Sequence, residues 1–226
     1  TAKEGGRPLR IGYKEPMAVA KMVFEGALRA EGIEYGFDPR PGLGVVLVNF
    51  GSEHSPLPLL ESRALDGFVM NQPGTAMAVH RGLAEVVAEL HDLPPDNKWL
   101  NHPCCVIAAT DAVLQEHPEP IKALLKLIQL STHLINTDVD VAVDCAVRWI
   151  RNPREVEAQS IPTSSYLAEP NEVWLQGMVT WFEMARDVEF FTGKYQDVTA
   201  EAFVRDLCAL DPCRQAAAEL REKGLL

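Results

Sequence analysis

From Leu9 to Met70 the chain keeps returning to one pattern: a short apolar run, a turn, then a stretch with helical periodicity. Leu9 to Tyr13 is a strand candidate, and Pro16 opens a helix whose apolar face runs through Val19, Val23, Phe24, Ala27 and Leu28. Proline suits a first helical turn because the N–H it lacks would have had no partner there. Glu31 to Gly44 is turn-rich, Val45 to Phe50 is a mostly apolar strand, and Pro58 to Ala64 is a short helix ahead of a strand at Leu65 to Met70. Asn71 to Thr75 forms a loop into a helix ending near Gly82, and further strands are expected at Ala84 to Leu90 and Cys104 to Ala109. Strands this apolar have no polar face to offer water, so alternating them with helices implies a parallel sheet covered on both sides. The expected fold class is α/β.

The character changes at Asp111, beyond which only helices are expected. Asp111 caps a short one, Pro120 starts a long one through Ile135, and Asp138 caps one whose apolar positions Val141, Cys145 and Trp149 recur every four residues. Pro170 to Phe191 and Thr199 to Leu210 are two more. The reading is an α/β lobe over 1–110 and a helical region over 111–226 that packs on it or completes it, with no repeat and no separating linker.

Composition removes several functions. The 226 residues carry a formal charge of -11 with the acids spread along the chain, which disfavours phosphate backbones and anionic membranes as partners. No apolar run approaches the roughly 20 residues that span a bilayer, and the polar opening Thr1 to Arg10 has no signal-peptide core. A soluble chain is expected, cytoplasmic or secreted and processed. The five cysteines cannot all pair within one chain, and the adjacent Cys104 and Cys105 are poorly placed to bridge each other; Cys208 and Cys213 could bridge across a helix end, with free buried thiols the favoured reading.

Open parallel sheets bind ligands outside the carboxyl ends of their strands, where loops feed helix N-termini. Three loop sets qualify. Gly12, Tyr13, Lys14 and Glu15 combine a glycine, a following helix start and a positive charge suited to a small anion. Asn71, Gln72 and Thr75, around Pro73 and Gly74, offer two amides and a hydroxyl that orient a polar ligand or cap the next helix. Ser52, His54, His102 and Cys104 make the third set, with Cys105 expected to point into the sheet. There is no C-x-x-C and no H-E-x-x-H, so no metal, cofactor or catalytic residue is expected. Gly42 and Gly44 precede a strand in the wrong order for a dinucleotide loop. Trp149, Trp174 and Trp181 are expected to be packing residues, and His80, His91, His117 and His133 surface or capping residues.

Three stretches then resemble one family. Leu65 to Thr75, LDGFVMNQPGT, is similar to a strand and loop that enter a ligand cleft; Asn101 to Asp111, NHPCCVIAATD, resembles the segment returning along the sheet; and Leu114 to Asn136, LQEHPEPIKALLKLIQLSTHLIN, resembles a helix, H-P-E, long helix, N signature. In this order they look like the substrate-binding proteins of the nitrate/sulfonate/taurine (thiamine-precursor-like) transporters. The resemblance implies a type II periplasmic-binding-protein-like fold that clamps a small molecule and hands it to an ABC permease in the membrane, in the periplasm or another extracytoplasmic space. The implied ligand is polar or anionic: nitrate, a sulfonate, taurine, bicarbonate or a pyrimidine precursor. An additional α/β unit usually precedes the point matching Leu9, so the resemblance implies a chain lacking the N-terminal part of the first lobe. A homodimer completing one cleft between two chains is compatible with that reading. The alternative is an enzyme on the same scaffold, as in menaquinone or thiamine-pyrimidine synthesis, with His102 or His54 acting on the bound molecule.

Overall fold

The computed structural model describes residues 6–51, 55–100, 102–187 and 189–226. Two compact units emerge, one from 1–100 with 152–160 and the other from 101–151 with 161–226. The division expected at 110 thus falls at 100, and a nine-residue segment from the helical half belongs with the sheet.

The first unit is built on four parallel strands, β1 (Leu9–Tyr13), β2 (Tyr35–Gly36), β3 (Val45–Asn49) and β4 (Gly67–Val69), in the order β2-β3-β1-β4. Leu9 stands opposite Val45 and Tyr13 opposite Asn49, while Ile11 faces Gly67 and Tyr13 faces Val69. Between the strands run α1 (Val19–Ala30) and α2 (Leu57–Glu61), and α3 (Gly74–His80) follows β4. Tyr13, Leu28, Val45 and Leu47 form a core with Ile11, Phe24, Tyr35 and Val69 packed against it. The apolar periodicity of α1 explains its seat: Ala20, Val23, Ala27 and Leu28 are all buried.

Glycine decides two close approaches here. A Cβ on Gly12 would stand 2.5 Å from a Leu65 methyl, and one on Gly26 would stand 2.5 and 2.7 Å from ring carbons of Trp99. Trp99 is 0% exposed, and its Nε1 donates to the Pro94 carbonyl at 2.8 Å. At the amino ends of the strands, Asp66 accepts both guanidinium nitrogens of Arg7 at 2.6 and 2.7 Å and the Arg10 backbone N–H at 2.9 Å. These bonds, the one from Arg7 above all, hold the Asp66 carboxyl well below the usual carboxylate range.

The second unit contains α4 (Asp111–Glu116), α5 (Pro118–Thr137), α6 (Val139–Ile150), α8 (Glu172–Asp187), α9 (Ala200–Leu207) and α10 (Leu210–Glu222); α7 (Arg154–Ser160) lies in the first unit against α3. α5 packs on α6 and α10, and α8 packs on α9. An aromatic group of Phe182, Phe191, Phe203 and Tyr195, with Phe182 stacked on Phe191 and the other pairs tilted or edge-on, sits over the α8–α9 seam. Asp138 caps α6 as expected, accepting from Val141 N at 3.1 Å.

Four expectations need correction. Ala84 to Leu90 and Cys104 to Ala109 form no strand: 84–89 and 104–109 are irregular and pair with nothing in the sheet. Val87 is 94% exposed and Val106 and Ile107 are also exposed, so a strand-like composition has found no neighbouring strand to bond. Thr110, not Asp111, is the N-cap of α4, with its Oγ1 accepting from Val113 N at 3.3 Å. Trp149 is 89% exposed, because α6 buries Ala142 and Val143, one position round from the Val141, Cys145, Trp149 stripe. The helices α7 and α10 were absent from the sequence reading altogether.

Candidate functional site

Because β1 is flanked by β3 and β4 in parallel register, the loops leaving the carboxyl ends of these three strands emerge side by side. Gly12, Tyr13, Lys14 and Glu15 are thereby brought next to Asn71, Gln72 and Thr75. Phe50 N donates to the Tyr13 carbonyl at 3.1 Å, fastening the β3 exit to the β1 exit, and Gly51 N donates to the Asn49 side-chain oxygen at 2.7 Å. Ser52 and His54 lie outside the described residues.

At the first loop, Lys14 is half-buried and Glu15 exposed. Ala18 N donates to the Glu15 carbonyl at 3.1 Å, turning the chain into α1. α1 then opens on Ala18, with no side-chain cap and no acidic residue in its first turn. Its leading N–H groups and the positive end of its dipole therefore face the loop without a built-in anion. Tyr13 is 6% exposed and its ring belongs to the core, which leaves its backbone as the part at the strand end. The tight space around Gly12 is filled by Leu65 and Phe50.

Sequence reading missed Lys21. It is buried in α1, its Nζ 2.8 Å from Glu25 Oε2 and 5.3 and 5.5 Å from the ring centres of Tyr13 and Phe37. The i, i+4 spacing of Lys21 and Glu25 was the available signal, but such pairs usually sit in solvent. Glu25 also raises the Tyr35 phenol, secondary to the effect of burial.

In the second loop, Gln72 Oε1 accepts from Ala76 N at 3.0 Å and so caps α3, while Thr75 Oγ1 donates to the Met70 carbonyl at 3.4 Å. Asn71 is exposed. A Cβ on Gly74 would stand 2.4 Å from Met70 Sδ, so the glycine admits that side chain.

His102 and Cys104 belong to the second unit. The His102 ring meets Trp181 edge-on at 5.9 Å, and Trp181 Nε1 donates to the Pro103 carbonyl at 2.7 Å, tying this stretch to α8. Cys104 and Cys105 are both exposed, with their sulfurs 3.7 Å apart; burial of its sulfur and the neighbouring Cys105 push the Cys104 thiol up to about 11. Among the described residues no group of three or more His, Cys, Asp and Glu could hold a metal ion. A groove of about 670 Å³ in the second unit, lined by Leu175, Val179, Val204 and Cys208, is rimmed by Glu172, Glu201 and Asp211 against Arg205 and Arg214, a mixture that favours neither sign of ligand.

A parallel sheet whose adjacent carboxyl-end loops carry a lysine, amides and an uncapped helix start has the architecture of an α/β small-solute binding unit. The NMT1-like family model matches residues 1–149, and the chain belongs to this family, the nitrate/sulfonate/taurine-binding group. Its members are mostly binding proteins, which supports a solute-binding role linked to an ABC-type transporter. No curated protein and no solved structure matches the chain. No described helix is long and apolar enough to cross a membrane.

Proposed function

We propose that this chain is the extracytoplasmic solute-binding component of an ABC-type importer, and that it captures a small anion at the carboxyl edge of its sheet for delivery to the permease. The observation that carries the reading is the uncapped, acid-free start of α1 immediately after β1, with the half-buried Lys14 in the same loop. By contrast, α4, α6 and α9 begin with side-chain caps from Thr110, Asp138 and Thr199, and the uncapped α5 and α10 carry Glu119 and Asp211 in their first turns; the five-residue α2 is uncapped and acid-free as well. Free N–H groups and an ammonium suit nitrate, bicarbonate, a sulfonate such as taurine, or a carboxylate better than an uncharged pyrimidine. Asn71 and the amide of Gln72, at the neighbouring strand end, supply orienting contacts. Reversible capture requires no catalytic group.

The test is a thermal-shift screen of the purified chain against nitrate, bicarbonate, alkanesulfonates, taurine, pyrimidines and small carboxylates. A ligand at a hundredfold excess over its Kd stabilises by about 2.7 kcal/mol. For a chain of this size that raises Tm by roughly 5–10 °C. A saturable rise with one anion class, without turnover, supports the proposal; a flat response to every anion, or a response to pyrimidines alone, overturns the anionic reading.

A further inference from the structure

Lys21 and Glu25 are buried ionisable groups, and stability alone does not account for them. Each side chain is 9% exposed, and an ion pair so deeply buried gains little over a well-packed apolar pair, because both charges give up their water. Lys21 is also the third residue of α1, inside the first turn, where the helix dipole favours an acid and disfavours a cation. That turn holds no acid. The lysine thus adds to the positive end of the helix instead of offsetting it.

The pair also has a direction. Tyr13 ends β1 and Phe37 follows β2 by one residue, so both residues stand at the carboxyl end of the sheet, their ring centres 6.4 Å apart. Lys21 Nζ lies 5.3 and 5.5 Å from those two centres. Glu25 is one turn further along α1, and its charge reaches the phenol of Tyr35, a residue paired with Val45 at the first position of β3. The positive end of the pair therefore faces the strand ends from which the candidate loops leave, with the negative end behind it. Helix dipole, Lys14 and Lys21 all favour an anion at the start of α1. Against them the 14–18 loop carries one acid, Glu15, which is exposed and screened by solvent.

We infer that Lys21, with Glu25 as its buried counter-ion, is an electrostatic positioning residue of the anion site: it raises the positive potential at the start of α1 without touching the ligand. This rests on the anion-binding reading above. At an effective dielectric of about 20, a unit charge about 10 Å away changes anion affinity roughly tenfold, and an opposite charge about 3 Å behind it cancels most of that. The two members of the pair therefore act in opposite senses, which a purely structural pair does not do.

The parent chain and two variants are titrated with nitrate, bicarbonate and methanesulfonate by calorimetry, and their melting temperatures are recorded. Glu25→Gln should melt lower than the parent yet bind the anion about fivefold more tightly, because the field of Lys21 is no longer cancelled. Lys21→Met/Glu25→Leu should melt near the parent and bind about twofold more weakly. A structural role predicts instead that affinity is unchanged or falls along with stability. Unchanged or weaker binding by Glu25→Gln overturns the inference; should that variant fail to fold, parent-like affinity in the double variant overturns it. A parent that binds none of the three anions refutes the anion site itself, whereas a parent that binds beside variants of unaltered affinity refutes only the role of the pair.

Discussion

Replacing Gly26 with alanine sets two effects of known size against each other. In a helix interior the change is worth about 1 kcal/mol in favour of alanine. The new Cβ, however, would stand 2.5 and 2.7 Å from two ring carbons of Trp99. Carbon atoms rest at roughly 3.5–4.0 Å, so the ring or the helix must retreat by about 1 Å. Trp99 has little freedom to do so, being 0% exposed and tied through Nε1 to the Pro94 carbonyl. Overpacking of this kind costs about 1–3 kcal/mol, and the expected net result is a loss of about 1 kcal/mol, reaching about 2 if the ring stays put. Urea unfolding followed by far-UV circular dichroism should show a lower midpoint with an unchanged slope. Trp99→Phe empties the notch, so the double variant should be more stable than the sum of the single changes predicts, by about 1 kcal/mol. A Gly26→Ala protein at least as stable as the parent, together with an additive cycle, refutes the tight seating of Trp99 on α1.

Lys14→Met should weaken binding of whichever anion the screen identifies by roughly 10–100-fold, measured by calorimetry, with little change in the apo melting temperature. Gln72→Ala removes the α3 cap and should lower apo stability by about 1 kcal/mol in chemical denaturation, whatever it does to affinity. Asp66→Asn should cost roughly 1 kcal/mol at neutral pH, a figure discounted because Arg7 is exposed. The folded-state pKa of Asp66 is depressed, so its contribution is present above the unfolded value of about 3.9 and is lost as pH falls below it. The difference between parent and Asp66→Asn, followed by denaturation across pH 3–7, should therefore be constant near neutrality and only begin to shrink as pH approaches 3, closing at still lower pH. Glu25→Gln leaves Lys21 buried without its carboxylate and should destabilise by about 3 kcal/mol or more in the same assay, a loss reduced in Lys21→Met/Glu25→Leu.

Part of the sheet was legible because apolar strands and helical periodicity are local signals: β1, β3, β4, α1 and α3 fall within a few residues of their expected bounds, whereas the two-residue β2 lies in a stretch read as turns. Pairing is not local. Ala84 to Leu90 and Cys104 to Ala109 have strand-like composition, yet a strand exists only when another backbone lies alongside it. The same limit explains Trp149, since a four-residue stripe shows that a helix has an apolar side without showing which side its neighbours cover. That the loops after β1 and β4 leave neighbouring strands at the carboxyl edge of the sheet could be foreseen from the expected parallel order. What their side chains do could not: Gln72 caps α3 and Tyr13 lies in the core, facts that depend on the path of the backbone. The buried Lys21–Glu25 pair escaped because its spacing is the one usually seen on exposed helix surfaces.

The first unit is not finished by the first hundred residues. Its chain leaves at Leu100, builds 51 residues of the second unit, and returns as Asn152–Ser160 to place α7 against α3 before departing again. Val156, 0% exposed, is part of that late arrival, and it lies beyond residue 149, where the family match stops. During synthesis, then, the unit carrying the candidate anion site must wait with the α3 face uncovered until the ribosome has passed Ser160. A chain cut at the family boundary would keep every residue proposed to touch the anion and still lack the helix that covers the unit behind them.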